Sequence, residues 1–164
     1  MFHPGETAAP QLQRQFVSVA EAVDAAKREF VRPGGPLVLL DRVEESAADC
    51  PYRRPCRIYA CLMALHRVAE QWRRNHGVLG NEGWRSALER EGIAYRARIS
   101  QTARGTCGDL YRFRYRGQRI LFQEHTTFGA KGCHTCASIH WIRDAERLVV
   151  VVGHCGRHLP TRRR

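Results

Sequence analysis

Two apolar, β-rich runs, residues 137–143 and 147–153, flank the polar triplet Asp144-Ala145-Glu146, and this pattern constrains the chain more than any other. Runs of β-branched and aromatic residues around a short turn predict a β-hairpin. A turn centred on the triplet opposes Cys136 to Cys155 and Cys133 to His158. Cys133-x-x-Cys136 and Cys155-x-x-His158 then form two knuckles with 18 residues, 137–154, between them. Thiolate sulfur and imidazole nitrogen suit tetrahedral zinc, and knuckles about 15–20 residues apart are its usual sequence sign. Four protein ligands close the coordination shell, so the implied Zn2+ is structural. His134 and His154 lie beside these ligands and could replace His158. The same cysteines equally fit a plainer role as small apolar residues packed at a sheet edge.

A second alternation lies upstream. Tyr111, Phe113 and Tyr115 alternate with Arg112, Arg114 and Arg116, a period of two that places aromatics on one strand face and arginines on the other. Tyr111, Phe113, Tyr115, Phe122, Trp141 and Val150 are expected to face the core. Gly117-Gln118 suits a two-residue turn, pairing Arg116 with Arg119, Arg114 with Leu121 and Arg112 with Gln123. The same parity carries His125 onto the arginine face with Arg119 and Gln123. Lys131 lies in the polar loop that follows, residues 126–134. Directly opposed arginines repel unless an anion neutralises them, so this face reads as a phosphate site; a merely solvated charged face is the competing description.

Charge supports that reading. The chain has 27 Lys and Arg against 16 Asp and Glu, a net charge of +11, and Lys27 and Lys131 are its only lysines. Guanidinium binds phosphate through two hydrogen bonds and stacks on bases, so an Arg-rich basic chain points to nucleic acid, RNA first. Arginine enrichment from base composition of the gene would give the same total without clustering. The odd count of seven cysteines and the absence of a basic-then-apolar leader predict a cytoplasmic protein. No apolar stretch approaches the roughly 20 residues that span a bilayer, so no membrane association is expected. Phosphate-loop, dinucleotide and His-Glu-x-x-His signatures are absent. Asp109, Glu124 and Asp144 are too scattered for a two-metal nuclease.

Residues 1–15 read as a loose arm, 16–159 as one α+β domain and 160–164 as a basic tail. Ser18-x-x-Glu21 opens a helix through Val31. Residues 37–43 suit a short buried strand, and 44–49 an acidic loop. Helices are expected at 57–76, with Gly77 as its stop, and at 82–91, between Asn81 and Gly92. Residues 93–99 read as a strand and 100–109 as a loop. The fold expected is an antiparallel sheet packed against a helical hairpin, with an additional N-terminal helix.

That order of elements, with Gly117-Gln118-Arg119-Ile120-Leu121-Phe122 entering a strand, resembles RelE/ParE-type toxins over roughly residues 37–158. The resemblance implies either cleavage of ribosome-bound messenger RNA or action on gyrase, and an antitoxin partner. It carries over one residue, Arg119, as the stabiliser of charge on a scissile phosphate. His125 and His154 are the proton carriers that the residues themselves suggest, because RNA cleavage through a 2′-oxyanion needs a base and an acid near neutral pKa. The competing functions are a non-enzymatic nucleic-acid-binding module and a zinc-stabilised interaction module whose positive charge meets an acidic protein partner.

Overall fold

The C-terminal hairpin is the centre of the sheet. In the computed structural model, which describes residues 15–79, 83–130 and 135–162, β5 (Ala137–Asp144) pairs antiparallel with β6 (Val149–Arg157). β4 (Glu124–Phe128) adds antiparallel to β5, whereas β1 (Leu37–Leu39) adds parallel to β6, in the order β1-β6-β5-β4. The sheet is therefore mixed rather than antiparallel. The long path from β1 to β6 leaves the chain free to return in either direction. β2 (Arg112–Tyr115) and β3 (Gln118–Leu121) make a separate two-stranded ribbon. The fold class is α+β.

One face of the sheet packs on helices. α1 (Val19–Phe30) begins at Ser18, whose side chain accepts a hydrogen bond from the Glu21 amide, and buries Val19, Ala22, Val23 and Ala26. α3 (Pro55–Arg74) carries the longest apolar stripe, with Ile58, Leu62, Leu65, Val68, Ala69 and Trp72 buried. α4 (Gly83–Arg90) returns along it, its Trp84 edge-on to Trp72 at 5.2 Å between ring centroids. Ala137, Ile139, Trp141, Val150 and Val152 complete this core from the sheet. Asn81, the expected cap of α4, lies outside the described residues. Residues 41–48, expected as part of a strand and an acidic loop, form α2 (Asp41–Ala48). Val43 and Ala47 at i and i+4 bury one face, and Asp41 and Glu44 suit the positive end of the helix dipole.

α2 runs beside β6 where β1 has ended. The Ser46 hydroxyl accepts from the Cys155 amide at 3.2 Å, giving a strand edge the partner that β1 no longer supplies. Approach is close enough that only Gly fits at position 156, because a Cβ there would fall inside the Ser46 carbonyl group.

The opposite face is roofed by the ribbon. Phe113 and Phe122 pack on Val149 and Val151. The ribbon turns at Arg116-Gly117, both with positive φ (50° and 79°), pairing Arg112 with Leu121 and Arg114 with Arg119. This is two residues from the expected register, since two successive positive-φ residues give the turn whose twist matches the strands. Parity is unchanged, so Arg112, Arg114 and Arg119 are exposed while Tyr111, Phe113 and Phe122 are buried and Tyr115 is half-buried.

Two expectations fail between the helices and the ribbon. Residues 93–99 form no strand, only a bridge between Arg96 and His125. Residues 100–109 are not a loop: Ser100 accepts from the Ala103 amide and opens α5 (Gln101–Cys107), which buries Ala103 and Cys107 and leads through a 3-10 turn (Gly108–Tyr111) into β2. The polar composition of that stretch hid the cap.

The register of β5 and β6 also departs from expectation. His140 pairs with His154 but Trp141 pairs with Val152, so Gly153 is an extra residue, a β-bulge. Past the bulge the faces of β6 exchange. Gly is required there: a Cβ would lie 2.6–2.7 Å from the rings of Phe113 and Phe122.

We expect Gly156→Ala to destabilise the protein by about 1–3 kcal/mol or more, because the clash is with backbone rather than a movable side chain. Gly108→Ala, with nothing within 4 Å of the added Cβ, is the matched control in thermal or urea unfolding. Equal stability of the two variants would contradict the packing of α2 on β6.

Candidate active site: a histidine row across the sheet

The bulge aligns three histidines. His125 on β4 pairs with His140 on β5, which pairs with His154 on β6, so the three stand side by side across three neighbouring strands on the face beneath the ribbon. The His125 and His140 rings stack at 4.8 Å with 11° between planes, and His140 meets His154 at 5.9 Å and 64°. Tyr111 lies edge-on to His140 at 5.2 Å, and Phe113 faces His154 at 6.3 Å. All three histidines are buried, whereas His158, just past the end of β6, is exposed.

Each ring is oriented by a backbone carbonyl. His125 Nδ1 is 2.8 Å from Gln123 O, His140 Nδ1 is 3.3 Å from Phe122 O, and His154 Nε2 is 2.9 Å from Arg157 O. A carbonyl oxygen can only accept, so each of these nitrogens carries the proton and the other ring nitrogen keeps its lone pair. Burial holds all three imidazoles below the usual histidine range. In His125 the nearby Arg96 and His158 add to the effect of burial; in His140 the flanking His125 and His154 do. Burial, Arg42 and His158 push His154 down to about 4. His158 is lowered too, by the partial desolvation of its ring. The result is a row of neutral bases.

Arg96 and Arg42 escape sequence reasoning. Arg96 reaches the row through its backbone bridge to His125, donating its N–H to His125 O at 2.9 Å and accepting from His125 N. Arg42 stacks over Phe113 at 5.6 Å from α2. Neither belongs to a recognisable motif. One signal was present for the row itself: five of the eight histidines fall within residues 125–158.

The expected site residues separate into two places. Arg112, Arg114 and Arg119 project from the ribbon, Arg119 donating to the Asp109 carbonyl at 3.4 Å. Arg116 occupies the turn, with its guanidinium 3.5 Å from Glu146 and 3.8 Å from Asp144. His125 does not join that arginine face, because the chain leaves the ribbon after Leu121 and enters the four-stranded sheet at Glu124. Gln123, between the two sheets, contributes its carbonyl to His125. Lys131 lies outside the described residues.

The zinc ligands do not converge as expected. Cys133 and His134 lie outside the described residues. Cys155, which the bulge turns to the helix side, is fully buried in the main core, where burial and the nearby Cys61 and Cys50 thiols push its own thiol up. Cys136 instead donates its thiol to Ala130 O at 2.6 Å, and its carbonyl accepts from the His158 amide at 3.0 Å. Among the described residues no group of three or more His, Cys, Asp or Glu side chains forms a metal-binding arrangement.

Stability should report the neutral row. A histidine whose folded pKa is depressed takes up its proton more readily when unfolded, so stability is full above about pH 6.5 and falls as pH drops toward the folded values, by about 1.4 kcal/mol per pH unit for each histidine involved. For His154 that window extends down to about pH 4. His154→Gln is expected to flatten this slope in urea titrations between pH 7 and pH 4. An unchanged slope would contradict the buried neutral state. No protein-family model, curated protein or solved structure matches this chain, so the functional reading rests on its own residues.

Proposed function

We propose that this protein binds single-stranded RNA and cleaves it through the histidine row. The observation that carries the reading is the alignment of His125, His140 and His154, each neutral and oriented, with Arg96 bridged to the His125 backbone and His158 exposed just past the end of β6. His125 Nε2 keeps a free lone pair and is the base that takes the 2′-hydroxyl proton. The resulting oxygen attacks phosphorus, and the bond to the 5′-oxygen breaks. His158 returns a proton to that leaving oxygen, giving a 2′,3′-cyclic phosphate and a 5′-hydroxyl. The negative charge of a bound phosphate raises the pKa of the adjacent histidine, which supplies the protonated partner. Arg96 stabilises charge on the phosphate. His140 and His154, shut beneath Tyr111 and Phe113, act by holding the His125 ring in position.

Arg112, Arg114 and Arg119 meet phosphates further along the strand. The net charge of +11 supports the same partner. As in the ribonuclease branch of RelE/ParE-type toxins, the chemistry would be carried by basic side chains on a sheet, and an antitoxin would be an acidic partner.

His125→Ala and His158→Ala are each expected to lower the cleavage rate about 10²–10⁴-fold at saturating RNA. Arg112→Ala, Arg114→Ala and Arg119→Ala should weaken binding instead, each reducing the slope of log affinity against log salt by about 0.7. Arg74→Ala, exposed on α3, is the control for general charge. Binding without cleavage by the purified protein, in chelator or with added divalent ions, would reduce it to a binding module. Loss at Arg74 equal to that on the ribbon would make the affinity non-specific.

A further inference from the structure

The histidine row is closed in this structure. His125, His140 and His154 are 9%, 2% and 5% exposed, so the base that the ribonuclease reading assigns to His125 is almost wholly covered. Phe113 faces His154 from the ribbon, and Tyr111, at the ribbon's entrance, lies edge-on to His140. Tyr111 is in turn held by the chain that follows β6. The His158 amide still reaches the Cys136 carbonyl at 3.0 Å, but Pro160 has no amide proton and cannot extend the ladder. Residues 159–162 leave the sheet there and run against α5, where the Thr106 hydroxyl lies 3.2 Å from the Thr161 carbonyl.

The hold on this segment is light. Leu159 is half-buried between two small apolar clusters, one containing Ala103, Cys107 and Tyr111 and the other Phe113 and Phe122. The Tyr111 hydroxyl lies 3.2 Å from the Leu159 carbonyl and 3.0 Å from the Pro160 carbonyl. A hydroxyl has one proton to donate. That of Tyr111 is shared between two carbonyls, and that of Thr106 is also drawn to Thr102 O, 2.7 Å away in its own helix. Side-chain contact and shared protons thus fasten residues 159–162, whereas a continuous main-chain ladder joins β5 to β6. Segments fastened in this way open locally while the rest of the fold stays intact.

We propose that residues 159–162 are a latched strap that gates the histidine row, closed here and released to admit substrate; the link to cleavage rests on the ribonuclease reading above. Tyr111 joins the two parts, because its ring covers His140 and its hydroxyl holds the strap. Release withdraws Leu159 from between α5 and the ribbon and frees the Tyr111 side chain to move off the row. The strap begins directly after His158, so the opening lies beside the proton donor of that reading. Lids of this kind keep water from a reacting centre until substrate arrives.

Exchange of the imidazole C2 hydrogen for deuterium, read histidine by histidine by mass spectrometry, measures access to the row. In the wild-type protein His140 should exchange at least about tenfold more slowly than the exposed His76. Leu159→Ser should speed His140 at least about threefold while leaving His76 unchanged, together with His66, which stacks on Phe30 in the helical layer. Thr106→Val, at an exposed position of α5, removes one latch proton and should act in the same direction with the thermal midpoint retained. Under the ribonuclease reading Leu159→Ser should also raise turnover about threefold at saturating RNA. His140 exchange unmoved by both variants would overturn the strap. So would a rise at His66 equal to that at His140, which reports general loosening. Faster His140 exchange in a variant of a protein that cuts no RNA would keep the strap and overturn the nuclease. Cleavage by the wild type, with His140 unmoved by both variants, would do the reverse.

Discussion

A single extra residue in β6 organises this molecule. Without the bulge at Gly153, alternation from Val149 onward would turn His154 toward the helices and Cys155 toward the ribbon. With it, His154 joins His140 and His125 on one face, and Cys155 enters the main core. The bulge needs a residue without a side chain because Phe113 and Phe122 press against it. Ribbon packing, sheet register and the assembly of the histidine row are thus one constraint seen from three sides.

Electrostatics follows from that packing. Burying three imidazoles together is tolerable only if they are uncharged and their N–H groups are satisfied, since an unpaired buried charge is far more costly than a neutral hydrogen-bonded ring. The carbonyls of Gln123, Phe122 and Arg157 meet this requirement. The first comes from the link between ribbon and sheet, the second from the ribbon's exit and the third from the end of β6. Excess positive charge elsewhere works in the same direction, because Arg96 and Arg42 disfavour protonation of the row.

Elements with strong periodicity could be read from the residues alone. The stripe on α3, the capped start of α1, the alternation of β2 and the existence of the C-terminal hairpin all follow from short-range pattern. What failed was decided by tertiary contact. The parallel pairing of β1 depends on where the chain returns, α5 on a cap hidden in a Gly- and Thr-containing segment, and α2 on a helix face of only Val43 and Ala47. The same limit explains the site. His125 and His154 were visible as candidate proton carriers, but their alignment with His140 needs a bulge at a position where the Phe113 and Phe122 rings leave room only for Gly, and the zinc knuckles required Cys155 opposite Cys136, whereas it pairs with Ile139.

The histidine row itself can be read directly by long-range nitrogen-15 correlation spectra of the imidazoles at pH 7. Three rings should be neutral, two with the proton on Nδ1, His125 and His140, and one, His154, with it on Nε2, as their carbonyl partners require. Doubly protonated rings, or the reverse tautomers, would contradict the account, because the lone pair assigned to His125 Nε2 would then be unavailable to take a proton.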